Sequence, residues 1–171
     1  MATVLRSRLS AILPLIQARV TAVMGLPEER VLLTGEMDNL PWDTQADQYV
    51  WIRPREMRPN APIIVGAGRH DARTNRSCLA TLRTRYAVDE GPQEARWLLD
   101  RSFGHLDAEQ LLLDALFLFQ PTDAAGNWLV HEPLQPMPVS APRKDQRDKD
   151  WGESTFEFSI DFTLDLNQSY Q

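Results

Sequence analysis

Thr155-Phe156-Glu157-Phe158-Ser159-Ile160-Asp161-Phe162-Thr163-Leu164-Asp165-Leu166 decides the fold class of this chain. Phe156, Phe158, Ile160, Phe162, Leu164 and Leu166 take the even positions, and polar residues take every odd one. A repeat of two puts all the apolar side chains on one face of a β-strand and all the polar ones on the other. The apolar face must be buried. A slip of one residue would expose six large side chains, each worth about 1.5–3 kcal/mol on burial, so the register is strongly fixed. The strand therefore belongs to a sheet with one covered face and one polar face.

A second stretch repeats the pattern less cleanly. In Ser77–Val88, Cys78, Ala80, Leu82, Tyr86 and Val88 share a face that only Thr84 spoils, while Thr81, Arg83 and Arg85 lie opposite, with Leu79 and Ala87 as exceptions there. Gln48–Arg53 has strong β composition in Tyr49, Val50, Trp51 and Ile52, and Pro54 is expected to end it. Val31–Thr34 and Trp128–His131 read as short strands. Gly66-Ala67-Gly68 reads as a hairpin loop.

Two helices are expected to cover the apolar face. Val4, Leu5, Leu9, Ile12, Leu13, Ile16, Val20 and Val23 recur at steps of mostly three and four, the helical period. Thr3 is a candidate N-cap, Pro14 predicts a kink or two abutting helices, and Gly25 is a stop signal. Leu106–Phe119 predicts a second helix with Asp107 as N-cap, Gln110 completing a capping box, and Leu106 against Leu111 as a staple. It is apolar nearly all round after Leu111, which predicts burial on more than one side. Gln93–Phe103 reads as a third, short helix. The expected architecture is a single α+β domain over residues 1–171: a mostly antiparallel sheet packed by a long N-terminal helix and a buried central helix. Extended loops are expected at about 55–76, 89–105 and 120–150.

The chain has 171 residues, 43% of them apolar and 25% charged, and a formal net charge of −6. That length buries a real core without disulfides or metals. The acidic balance argues against tight wrapping of nucleic acid, which needs a dominant basic surface. Cys78 is the only cysteine, which fits a reducing compartment such as a cytoplasm. No apolar run approaches the roughly 20 residues that span a bilayer, and the N-terminal stretch lacks a signal-peptide layout.

No catalytic, cofactor or metal constellation stands out. His70, His105 and His131 have no helical metal-pair spacing. Gly66-Ala67-Gly68 lacks the third glycine and the following helix of a dinucleotide loop. The charges are more informative. Arg53 to Arg76 holds six arginines against Glu56 and Asp71, and Glu153 to the end holds four acids and no Lys or Arg. The outer faces of the two long strands are thus basic (Arg83, Arg85) and acidic (Glu157, Asp161, Asp165). Either the two strands are sheet neighbours whose charges pair across the face, or the basic and acidic surfaces meet between copies of a ring. Both are compatible. Arg53, Arg69, Arg83, Arg85, Glu157, Asp161 and Asp165 are the interface candidates.

The order of elements resembles the tail terminator, or tail completion, proteins of long-tailed bacteriophages. The opening helix Val4–Met24 carries the likeness, with Gln48-Tyr49-Val50-Trp51-Ile52-Arg53-Pro54 and Leu82-Arg83-Thr84-Arg85-Tyr86-Ala87-Val88-Asp89. Leu111-Leu112-Leu113-Asp114-Ala115-Leu116 and the final strand complete it. The resemblance implies a homohexameric ring without enzymatic activity at the head-proximal end of the tail tube. Such a ring ends tube growth, joins the tail to the neck, and lets DNA pass through its lumen unread. Its partners would be its own copies, the tail tube protein, a neck protein and the tail sheath. It would be assembled in a host cytoplasm and reside in the virion. A neck or head-completion connector of similar fold is the near alternative, and a small cytosolic enzyme or ligand-binding domain the distant one.

Overall fold

The computed structural model describes residues 7–33, 47–59, 64–66, 69–85, 104–144 and 151–165. Two helices, α1 (Leu9–Met24) and α2 (His105–Leu116), pack on a six-stranded sheet. The strands are β1 (Val31–Leu33), β2 (Gln48–Pro59), β3 (Ile64–Gly66), β4 (Arg69–Arg85), β5 (Met137–Lys144) and β6 (Trp151–Asp165). The order across the sheet is β1-β2-β4-β6-β5, with β3 paired to the start of β4. Only β1 and β2 run parallel; the other pairings are antiparallel. The expected α+β class and mostly antiparallel sheet are what the chain adopts.

The alternation in β6 does what its period demands. Phe156, Phe158, Ile160 and Phe162 are buried, and Val50, Ile52, Cys78, Ala80 and Leu82 lie in the same core. The helices close that core from above. Ile12, Ile16, Val20 and Met24, each four residues apart, face inward from α1, and Ala108, Leu112, Ala115 and Leu116 face inward from α2. Cys78 is fully buried, and burial pushes its thiol up to about 12, so it is the inert small hydrophobe its position suggested.

Several local expectations are corrected. α1 starts at Leu9 behind Arg8, which makes no side-chain cap; Thr3 to Arg6 lie outside the described residues. The helix runs unbroken through Pro14. That residue is exposed, so the backbone bond it cannot make falls on the solvent side. Gly25 ends the helix as expected: at φ 65° it is left-handed, and its N–H and that of Leu26 both return to the Thr21 carbonyl. In α2 the cap is Gly104, not Asp107, and no capping box forms; Gln110 instead donates to Asp114 one turn on. Leu106 and Leu111 are each 40% exposed, so α2 is buried along one stripe, not all round.

Strands occupy parts of two of the expected loops, 55–76 and 120–150. β2 passes through Pro54 to Pro59 by shifting register between Pro54 and Met57, since a bulge absorbs the residue that cannot donate. β4 begins at Arg69, so most of 55–76 is strand, with Gly66 opposite Arg69 at the hairpin. Met137–Lys144, expected as loop, is an edge strand, another place in a sheet where prolines are tolerated. Trp128–His131 is not a strand; Trp128 makes a single bridge to Thr122. Gln93–Phe103, Tyr86–Val88 and Leu166 lie outside the described residues.

Candidate functional site: the outer face of the sheet

β4 and β6 are neighbours, paired from Asp71↔Asp165 to Arg85↔Trp151. The opposite charges on their outer faces therefore meet inside one sheet. At one end, Arg83 lies opposite Glu153, with its Nε 3.8 Å from a Glu153 carboxylate oxygen. Its guanidinium sits 5.4 Å from the ring centres of both Trp51 and Trp151. Tyr49 stacks in parallel on Trp51, and the cluster is closed tightly enough that Arg83 is 3% exposed. Arg suits this place because its flat, weakly hydrated cation packs face-on against aromatic rings.

In the middle, Thr81 and Thr155 hydroxyls bond at 3.2 Å, and Ser77 donates a short bond to Glu157. Arg55 approaches Glu157 from β2 at 3.9 Å. At the far end Arg73 forks onto Asp161. Its Nε is 3.0 Å from each carboxylate oxygen, and Nη2 is 2.5 Å from Oδ2 and 3.1 Å from Glu132. Asp161 is only 6% exposed, and its hydrogen bonds raise the Arg73 guanidinium above its usual value.

Of the candidate interface residues, Arg83 and Asp161 are enclosed by this chain's own side chains. Arg53, Arg85 and Glu157 are half-buried on the outer face. Arg69 and Asp165 stand at the same end of the β4–β6 pair by register; their side chains lie outside the described set. Reading from residue types missed Arg73 and Glu132. Arg73 becomes visible once β4 is extended back to Arg69. Odd positions from Arg69 to Arg85 are then polar or charged except Leu79, the pattern of a single face.

The inner face holds a polar knot. His105, fully buried at the start of α2, bonds through Nδ1 to Thr84 at 2.7 Å and through Nε2 to Ser154 at 2.6 Å. Ser154 in turn donates a short bond to Glu109. With Glu109 ionised and the imidazole neutral, one assignment satisfies these three bonds. The Thr84 hydroxyl donates to Nδ1, Nε2–H donates to Ser154, and Ser154 donates to Glu109. A neutral imidazole is in keeping with burial pushing His105 down to about 4. Burial also raises Glu109, opposed by the Ser154 bond. Although it contains Ser, His and an acid, the knot lacks the connectivity of a nucleophilic triad. There the acid orients the histidine and the serine proton goes to the ring. Here the serine proton goes to the acid, and Ser154 is fully buried. What the knot does is tie α2 to β4 and β6. It also explains why Thr84 breaks the apolar pattern of its strand.

Among the described residues no group of His, Cys, Asp and Glu could hold a metal ion, and no helix is long and apolar enough to cross a membrane. No protein-family model matches the chain, and no curated protein does. Solved structures do. One is the sheath/tube terminator of PVC, an extracellular contractile injection system, in its extended state. The TM-score is 0.52 at 13% identity, over 96% of this chain and 59% of that one. The chain thus spans about three-fifths of the length of that neighbour, and it shares the fold of a contractile-system sheath/tube terminator almost from end to end.

Proposed function

We propose that this protein is a structural terminator of a phage-like tail: a ring of identical copies that ends the tube and contacts the sheath. The observation that carries the reading is the near-complete coverage of the chain by the fold of a sheath/tube terminator. In this reading six copies form the ring, as in the phage family that the element order resembles. Arg53, Arg69, Arg85, Glu157 and Asp165 lie toward neighbouring copies or tube subunits, and Arg83 and Asp161 shape that surface from beneath. Junction to a neck and location in the virion belong to the same proposal.

Light scattering on the purified protein, alone and with the tube protein of the same particle, tests it. Terminator behaviour gives a species at an integer multiple of 19.5 kDa and tubes of limited length capped at one end by electron microscopy. A strict monomer that leaves tube growth unchanged overturns it.

A further inference from the structure

Every exposed large apolar side chain among the described residues falls between Leu106 and Val139. They sit on α2 (Leu106, Leu111), on the turn after it (Phe117, Leu118), at Trp128, and on β5 (Met137, Val139). Among the residues whose side chains are described, α1, β1, β2, β4 and β6 contribute none. Phe117, Leu118, Met137 and Val139 lie toward the β5 side of the sheet. Leu118 N–H donates to the Leu134 carbonyl and Leu134 N–H to the Phe119 carbonyl. The same segment follows the β6 edge through His131, whose N–H donates to the Asp161 carbonyl, and then leads into edge strand β5.

The turn itself is unusual. Phe117 has φ −64° and ψ 126°, Leu118 has φ 57°, and Phe119 N–H returns to the Leu116 carbonyl at 3.1 Å. That is a type II turn with leucine at the position that calls for glycine or asparagine. A left-handed leucine costs about 1–2 kcal/mol, and this one is 58% exposed, beside Phe117 at 59%. The bond from the Leu118 N–H to the Leu134 carbonyl holds the backbone there, while its side chain stays exposed. Strained, exposed apolar residues of this kind belong to contact sites.

Charge indicates what meets them. From His105 to Pro136 the chain has five acids (Asp107, Glu109, Asp114, Asp123, Glu132) and no Lys or Arg. At the opposite side of the sheet, β1 pairs with β2 only from Val50 to Ile52. The rest of β2, with Arg53 and Arg55, extends past it. Resting on the ring reading above, we infer that the Phe117–Leu118 turn and the β5 side of one copy dock on the β2 side of the next. An apolar patch flanked by the exposed acids Asp107 and Asp114, with Arg53 and Arg55 on the strand at the other side of the sheet, has the complementarity of a head-to-tail contact between identical copies.

The test is Leu118→Gly, with Leu118→Asn as a second variant, since both residues accept the left-handed turn. Each keeps or raises the melting temperature of the monomer and weakens self-association by about tenfold or more. Asp114→Arg weakens association, and Arg55→Glu added to it restores part of the loss. Variants that fold and associate like the wild type overturn the inference and leave the ring reading standing. Variants that associate normally but no longer cap tubes place the patch against tube protein and overturn it too. A wild-type chain that never associates removes the ring reading itself, and shows this before any variant is made.

Discussion

The two faces of the β4–β6 pair share one backbone register and solve opposite problems. The inner face is mostly apolar, with Thr74, Arg76 and the His105 knot as its polar members, and its fit depends on shape: four large side chains of β6 fill the space under α1 and α2. The outer face is almost wholly polar, and its fit depends on pairing: Arg83 with Glu153, Ser77 with Glu157, Arg73 with Asp161. Shape supplies most of the free energy and little directional information. Pairing supplies direction, because a shift by two residues would leave the inner alternation intact and misalign every charge outside. The His105 knot is the inner face's own directional element, fixing where α2 begins relative to both strands.

The sharpest way to break the comparison is at the inner face. Phe158→Ala, which empties a fully packed site, should cost about 3–5 kcal/mol in chemical denaturation. A cost under about 1 kcal/mol would mean that the core closes over the gap and shape matters less than stated.

The knot comes next. His105→Gln should cost about 1–3 kcal/mol at neutral pH by stranding buried partners. It should also change the acid limb of the stability curve. His105 is held at about 4 against its usual 6.5, so the unfolded chain takes up the proton first. Its contribution is complete above 6.5 and is lost as pH falls toward 4, with a slope of about 1.4 kcal/mol per pH unit. Glu109 opposes this, since its raised value lets the folded state take a proton first on acidification. Urea midpoints at several pH values for the wild type and His105→Gln isolate the histidine part. Parallel curves would show that His105 is not held neutral.

The smallest effect belongs outside. A double-mutant cycle on Arg73→Ala and Asp161→Ala should give a coupling of about 1 kcal/mol or less, because Arg73 is 42% exposed and water screens the pair. A coupling as large as the loss at Phe158 would remove the distinction between the faces.

What residue patterns revealed follows the same division. Alternation in β6 and the four-residue spacing in α1 report burial, which depends on one element at a time, so both were legible. Charge pairing depends on register between strands some eighty residues apart. Glu157 was recognisable as an outer acid, but its approach by Arg55 and its bond from Ser77 were not. Thr84 looked like a flaw because the histidine that satisfies it lies 21 residues on. Strands β5 and late β2 were hidden by prolines, whose cost vanishes at an edge or a bulge, and neither context shows in local composition. The turn at Leu118 was invisible for a related reason: leucine is the residue that turn rules exclude there.

The length of β4 has a mechanical side. It is bonded to β6 at fifteen successive register positions, and to β2 on its other edge. The strands run in opposite senses, so the chain enters β4 at one end of the pair and β6 at the other. A pull applied through those two entry points loads the whole ladder in shear, and the bonds must yield together. A pull between Arg85 and Trp151, which face each other at one end, peels them apart one at a time. The sheet is therefore stiff along its strands and weak at that corner, which sets the direction in which a neighbour can safely transmit force to it.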